Sequence, residues 1–237
     1  MELHKVGRMQ RKIRKGAAVI LPPFLLVYLA LSEEAYTAAL SCLILGVSLV
    51  PFFQSFEHSK PRPRDMVPIA VMSTIAALGR TLFAAIPGFN PVSAVVMIAG
   101  MYFGSQAGFL AGALSALASN LFLGQGPWTP WQMYAWGMIG FTAGLMKEKG
   151  VFRFRWMMYG FGFMSGILFG WFMNLYYLIG YVHPVTLGAF LTACVSSAWM
   201  DAAHGASTLI FLLLLERPWG KKLIRLQKKY GICKMGE

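Results

Sequence analysis

Eight apolar stretches separated by short polar breaks run along the 237-residue chain. They cover roughly 16–31, 35–53, 66–86, 91–104, 107–123, 131–146, 155–180 and 186–215, each long and unbroken enough to predict a helix rather than a strand. The fourth, at about 14 residues, is short for a bilayer that takes about 20. The last, at about 30 residues, would extend about 45 Å and must tilt or project. The polar stretch EHSKPRPRD, 57–65, is charged and holds two prolines. It predicts a linker between an N-terminal pair of helices, 1–56, and a six-helix body, 66–217, with a basic tail at 218–237.

Composition supports a membrane protein: 57% of residues are hydrophobic and 13% charged, too apolar for a soluble chain of this size. The net charge of +12 would suit nucleic acid, but its placement argues otherwise. Lys5, Arg8, Arg11, Lys12, Arg14 and Lys15 precede the first stretch, and Lys60, Arg62 and Arg64 follow the second. Lys147, Lys149, Arg153 and Arg155 lie between the sixth and seventh, and Arg217, Lys221, Lys222, Arg225, Lys228, Lys229 and Lys234 follow the eighth. With eight spans these share one side, which the positive-inside rule makes cytoplasmic. Only Arg80 of the 21 Lys and Arg is excluded, and the outer loops hold Glu33 and Glu34. Both termini are therefore expected in the cytoplasm of a multi-pass cell-membrane protein, with anionic lipid as the charge partner and no nucleic acid. The basic start followed by an apolar run also resembles a signal peptide, and ALSC at 39–42 a lipoprotein cleavage site. Retained helices are the preferred expectation, because a second apolar run follows at once. Cys42, Cys194 and Cys233 form neither a disulfide framework nor a thiolate metal site.

Small residues recur at helical spacing: Ser73, Ala77, Thr81 and Ala85; Gly108 and Gly112; Gly162, Gly166 and Gly170. Such stripes let helix backbones approach inside a membrane, either within one bundle or against a partner.

Two charged residues, Arg80 and Asp201, fall well inside predicted spans, where charge is costly and marks a site. Both fall in the outer half, where they could pair with each other or hold a polar ligand. Ser197 and His204 share a face with Asp201. A metal would need more ligands than these. Asn90, Asn120, Gln125, Trp128, Trp131, Gln132, Asn174, Tyr176, Tyr177, Tyr181 and His183 cluster at the same ends of the body helices. Interfacial Trp and Tyr commonly form an anchoring belt. Here GQGPWTPWQ, 124–132, adds Pro127 and Pro130 as stiffeners and amides as directional partners, which predicts an external loop walling a ligand pocket.

The stretches GRTLFAAIPGFNPVSAVVMIAGMYFGSQAGFLAGALSALASNLFLGQGPWTPWQMYAWGMIGFTAGLM, 79–146, and SSAWMDAAHGASTLIFLLLLERP, 196–218, resemble the substrate-binding S components of energy-coupling factor (ECF) vitamin transporters. GQGPWTPWQM is most similar to the cobalamin type. The resemblance implies an all-α polytopic bundle, a six-helix S-component body here preceded by two extra transmembrane helices. It implies a non-enzymatic subunit without its own cofactor, which binds a vitamin and associates with a membrane coupling protein and two cytoplasmic ATPases. The absence of G-x-x-x-x-G-K-[ST] agrees. Site residues expected on this reading are Arg80, Asn90, Asn120, Gln125, Trp128, Trp131, Gln132, Asn174, Tyr177, Asp201 and His204. The resemblance also carries the coupling interface onto Ser73, Ala77, Thr81 and Ala85. A corrinoid is the first substrate expected, with riboflavin, a queuosine precursor or another heteroaromatic vitamin as alternatives. The rival from another class is an intramembrane enzyme using Asp201 and His204 as acid and base.

Overall fold

In a computed structural model describing residues 2–31, 37–58 and 61–232, all regular structure is helical. Glu33, Glu34, Lys60, Cys233 and Lys234 lie outside the described residues, as do the side chains of Lys5, Arg8, Arg11, Lys12, Arg14 and Lys15. The helices are α1 (Glu2–Leu31), α2 (Thr37–His58), α3 (Pro63–Leu82), α4 (Val92–Phe103), α5 (Ser105–Leu123), α6 (Trp128–Glu148), α7 (Arg155–Tyr181) and α8 (Leu187–Tyr230). Five of them, α2, α3, α5, α7 and α8, are long and apolar enough to cross a membrane.

Three boundaries differ from the sequence expectation. The linker expected at 57–65 is largely helical at both edges. Pro63 starts α3 where a missing N–H costs nothing, and the Asp65 carboxylate accepts from the Arg62 backbone N–H at 3.1 Å and from Arg62 Nε at 2.9 Å. At the other end α3 stops at Leu82, because Pro87 and Gly88 turn the chain, Gly88 with φ of 74°. The basic tail is not separate: α8 continues without a break to Tyr230, 44 residues or about 66 Å.

The shortness of α4 has a simple cause. Every residue from Val92 to Phe103 except Tyr102 is buried, so this helix is the centre of the bundle and has no lipid face to match. It ends at Gly104 (φ 99°), and α5 begins one residue later. Around this joint Gly100, Gly108, Gly140 and Gly144 bring α4, α5 and α6 into backbone contact: a Cβ on any of them would strike main-chain atoms of a neighbour. On α7, Gly166 does the same against the α8 backbone at His204 and Gly205, while Gly162 and Gly170 leave room for the side chains of Leu212 and Asp201. These stripes therefore serve internal packing.

The first two helices pack on the face formed by α5, α6 and α7. Phe52 stacks on Phe109 with ring centroids 3.6 Å apart. Thr37 donates to the Ile179 carbonyl at 3.0 Å. Pro22 and Pro23 inside α1 leave the carbonyls of Ala18 and Val19 without their i+4 donors. The Tyr134 hydroxyl from α6 lies 3.2 Å from both and supplies the missing donor.

Candidate functional site

At the end of the bundle opposite the basic tail, α3, the 83–91 turn, α6, α7 and α8 enclose a cavity of about 390 Å³. Its walls are unlike one another. Arg80 comes from α3, Asn174 from α7, and Ser197, Asp201 and His204 from α8, while Phe83, Phe89, Phe169, Met173 and Met200 supply apolar surface.

Each polar group is aimed by a neighbour. Arg80 Nη1 donates to Ser119 Oγ at 2.7 Å and to Asn120 Oδ1 at 2.6 Å. Its guanidinium lies over the Trp136 ring, 4.8 Å from the centroid, and Phe169 stacks on the same indole with ring centroids 4.5 Å apart. Behind Arg80, Asn120 Nδ2 donates to Thr129 Oγ1 and to Gln132 Oε1 at 3.0 and 2.9 Å. Thr129 in turn donates its hydroxyl hydrogen bond to Gln125 Oε1 at 2.9 Å. Between α7 and α8, Asn174 Nδ2 donates to Ser197 Oγ at 2.8 Å, and Ser197 donates to Asp201 Oδ2 at 2.9 Å. The Asp201 carboxylate lies against Gly170, where any side chain would collide with it. His204 Nε2 pairs with Ser93 Oγ at 2.9 Å, and Ser93 also accepts from Trp136 Nε1 at 3.2 Å.

Of the residues expected at the site, Arg80, Asn90, Asn174, Asp201 and His204 line the cavity. Asn120, Gln125 and Gln132 do not line it but form the chain of amides behind Arg80. Trp128, Trp131 and Tyr177 are elsewhere. Trp131 is fully buried against Phe172 and Tyr176, at 4.9 and 5.6 Å. Trp128 folds over Gly126, and Tyr177 is exposed and stacks with Tyr181. GQGPWTPWQ is thus only partly a loop. Trp128 opens α6, and Pro127 and Pro130 occupy the cap and first turn, where a missing N–H leaves no ladder bond open.

Arg80 and Asp201 share the cavity without an ion pair between them. Asp201 and His204 share no hydrogen bond; each is held by a serine, Ser197 and Ser93. Among the described residues no group of three His, Cys, Asp or Glu could hold a metal. The sequence reading missed Trp136, Phe169, Met173 and the Phe83–Phe89 turn. Pro87-Gly88 was the signal for the turn; Trp136 and Phe169 look like ordinary helix-core residues.

Ser73 and Ala77 are buried, and Ser73 donates to the Ile69 carbonyl on its own helix and reaches Ala111 of α5. Ala85 lies beyond the end of α3. The stripe is therefore not a continuous outward face; the exposed face of α3 carries Val67, Val71, Ile75 and Leu78 instead.

Residues 64–216, which hold every residue of the cavity wall, match the family described as ECF transporter, substrate-specific component. The chain belongs to that family. Comparison with curated proteins and with solved structures gives no match. As an ECF substrate-specific component, the chain is a membrane subunit of a transporter rather than an enzyme, and membership implies association with the other components of an ECF transporter. Its α1 and α2 lie outside the matched residues.

Proposed function

We propose that this substrate-specific component captures a small heteroaromatic micronutrient in the cavity between Arg80 and Asp201. It then delivers the micronutrient through a coupling membrane protein driven by two cytoplasmic ATPases. The observation that carries the reading is one cavity lined by a cation, Arg80, and a carboxylate, Asp201, that do not pair with each other. Arg80 offers donors, Asp201 and Asn174 offer acceptors, and the remaining lining is largely apolar. A flat ring with a carbonyl edge and an N–H edge satisfies both. The volume, about 390 Å³, suits a ligand of vitamin size at the small end of ordinary pockets. A corrinoid, with its large macrocycle and peripheral amides, exceeds it. That supports the riboflavin or queuosine-precursor class over the cobalamin class that the GQGPWTPWQM resemblance favours.

Titrating the purified chain with riboflavin, a 7-deazaguanine queuosine precursor and cobalamin tests this directly. One of the two small ligands should bind, and Asp201→Asn should weaken it roughly tenfold or more, the scale of a hydrogen bond to a charged group. Retention of cobalamin with neither small ligand bound would instead support the corrinoid.

The cavity end is proposed to face outward and both termini inward, on the distribution of Lys and Arg. Leu187, exposed at the start of α8, gives the check. In a background with serine for the native cysteines, Leu187→Cys should react with an impermeant thiol reagent in intact cells. Reaction only after lysis would reverse the orientation.

A further inference from the structure

A second cavity is larger than the candidate site. A groove of about 700 Å³ lies at the basic end of the bundle, between the start of α3 and the last turns of α8. Val67, Val71, Phe103 and Leu226 form apolar walls, and Arg64 and Lys229 stand among its lining residues. Among the described residues lining it, none is acidic. The nearby carboxylate of Asp65 is engaged by Arg62.

The groove is built rather than incidental. Arg62 Nη2 donates to the Gly231 carbonyl at 2.9 Å, tying the start of α3 to the end of α8. Gln227 of α8 donates to the Tyr102 carbonyl on α4, the Tyr102 hydroxyl donates to Glu216 at 3.0 Å, and the Tyr102 ring rests on Gly220. Both walls are thus held before anything enters. Val67 and Val71, 58% and 49% exposed, continue the groove onto the outer apolar face of α3.

We propose that this groove is a binding site for an anionic phospholipid, with the phosphate between Arg64 and Lys229 and an acyl chain along Val67, Val71 and Leu226. The occupant must be both apolar and anionic, and it must reach the groove from the membrane face of α3. A phospholipid of negative headgroup meets all three conditions. A free phosphate leaves the apolar walls unfilled, and a zwitterionic lipid leaves the two cations without net counter-charge. Basic pockets between membrane helices bind anionic headgroups for this reason.

The test uses the full chain, delipidated in detergent, and native mass spectrometry to count lipids retained from mixed micelles. Phosphatidylglycerol should be retained in preference to phosphatidylcholine of the same acyl chains. Arg64→Gln and Lys229→Gln should each reduce that retention roughly fivefold, the scale of one cation near an anionic headgroup, and the double variant should abolish the preference. Val71→Trp, which fills the groove and leaves both cations, should also displace the lipid. Micronutrient binding at the distant cavity serves as the folding control for all variants. Equal retention of the two lipids, or unchanged preference in the double variant, overturns the proposal. Inorganic phosphate competing as well as phosphatidylglycerol would show a free-anion site and overturn it too. If the variants keep their lipid profile and lose only a co-expressed coupling protein, the groove is a protein interface and the lipid assignment fails.

Discussion

Asn120→Ala should weaken binding of the proposed micronutrient roughly tenfold to a hundredfold, although Asn120 does not line the cavity. Its Oδ1 accepts the 2.6 Å bond from Arg80, while its Nδ2 is held by Thr129 and Gln132. Removing the amide takes from Arg80 a bond of the charged class, worth about 1.5–3 kcal/mol. It also removes the support that fixes the guanidinium over Trp136. The measurement is ligand affinity beside the thermal unfolding of the unliganded chain. A purely structural Asn120 would lower the unfolding temperature and leave the affinity of the remaining folded protein unchanged. That result would end the positioning role. Gln132→Ala, one bond further from Arg80, should show the same effect in weaker form.

Trp131→Ala should act on the fold instead. The ring is fully buried among Phe172, Tyr176 and the residues that seat α2, so truncation leaves a large void with no route to collapse. Large aromatic truncations of this kind cost about 3–5 kcal/mol. The expected result is a marked loss of folded protein in membranes and a lower unfolding temperature, with normal affinity in whatever folds. An affinity loss at unchanged stability would return Trp131 to the cavity wall.

These two residues show what the sequence could and could not convey. The helical membrane class, and the intramembrane charges of Arg80 and Asp201, were legible because burying charge in lipid is expensive enough to be diagnostic alone. Asn174 and Asn90 followed from their place at the same helix ends. The tryptophans were misleading because a large aromatic beside a proline serves a pocket wall or a packed interface equally well. Only the position of α2 and α7 decides between them. The small stripe on α3 misled for a related reason. Periodicity reports that a face is closely packed and is silent on whether the neighbour belongs to the same chain. α5 covers Ser73 through Ala111 and Ser115, and that neighbour was invisible in the spacing. The brevity of α4 was seen and its reason was not, since centrality in a bundle has no local signature.

The unbroken run of α8 makes the two ends of the molecule a single mechanical part. Asp201 and His204 stand at the cavity, while Lys229 stands 28 residues after Asp201 on the same helix, about 42 Å away. Pro218 removes one rung of the ladder, but Tyr102 braces the helix on both sides of it, at Glu216 and Gly220. A rod of that length magnifies small rotations: tilting it by about 5° around the cavity would carry its far end roughly 4 Å. Any adjustment of α8 that accompanies ligand capture therefore arrives at the opposite membrane surface as a displacement as large as a side chain.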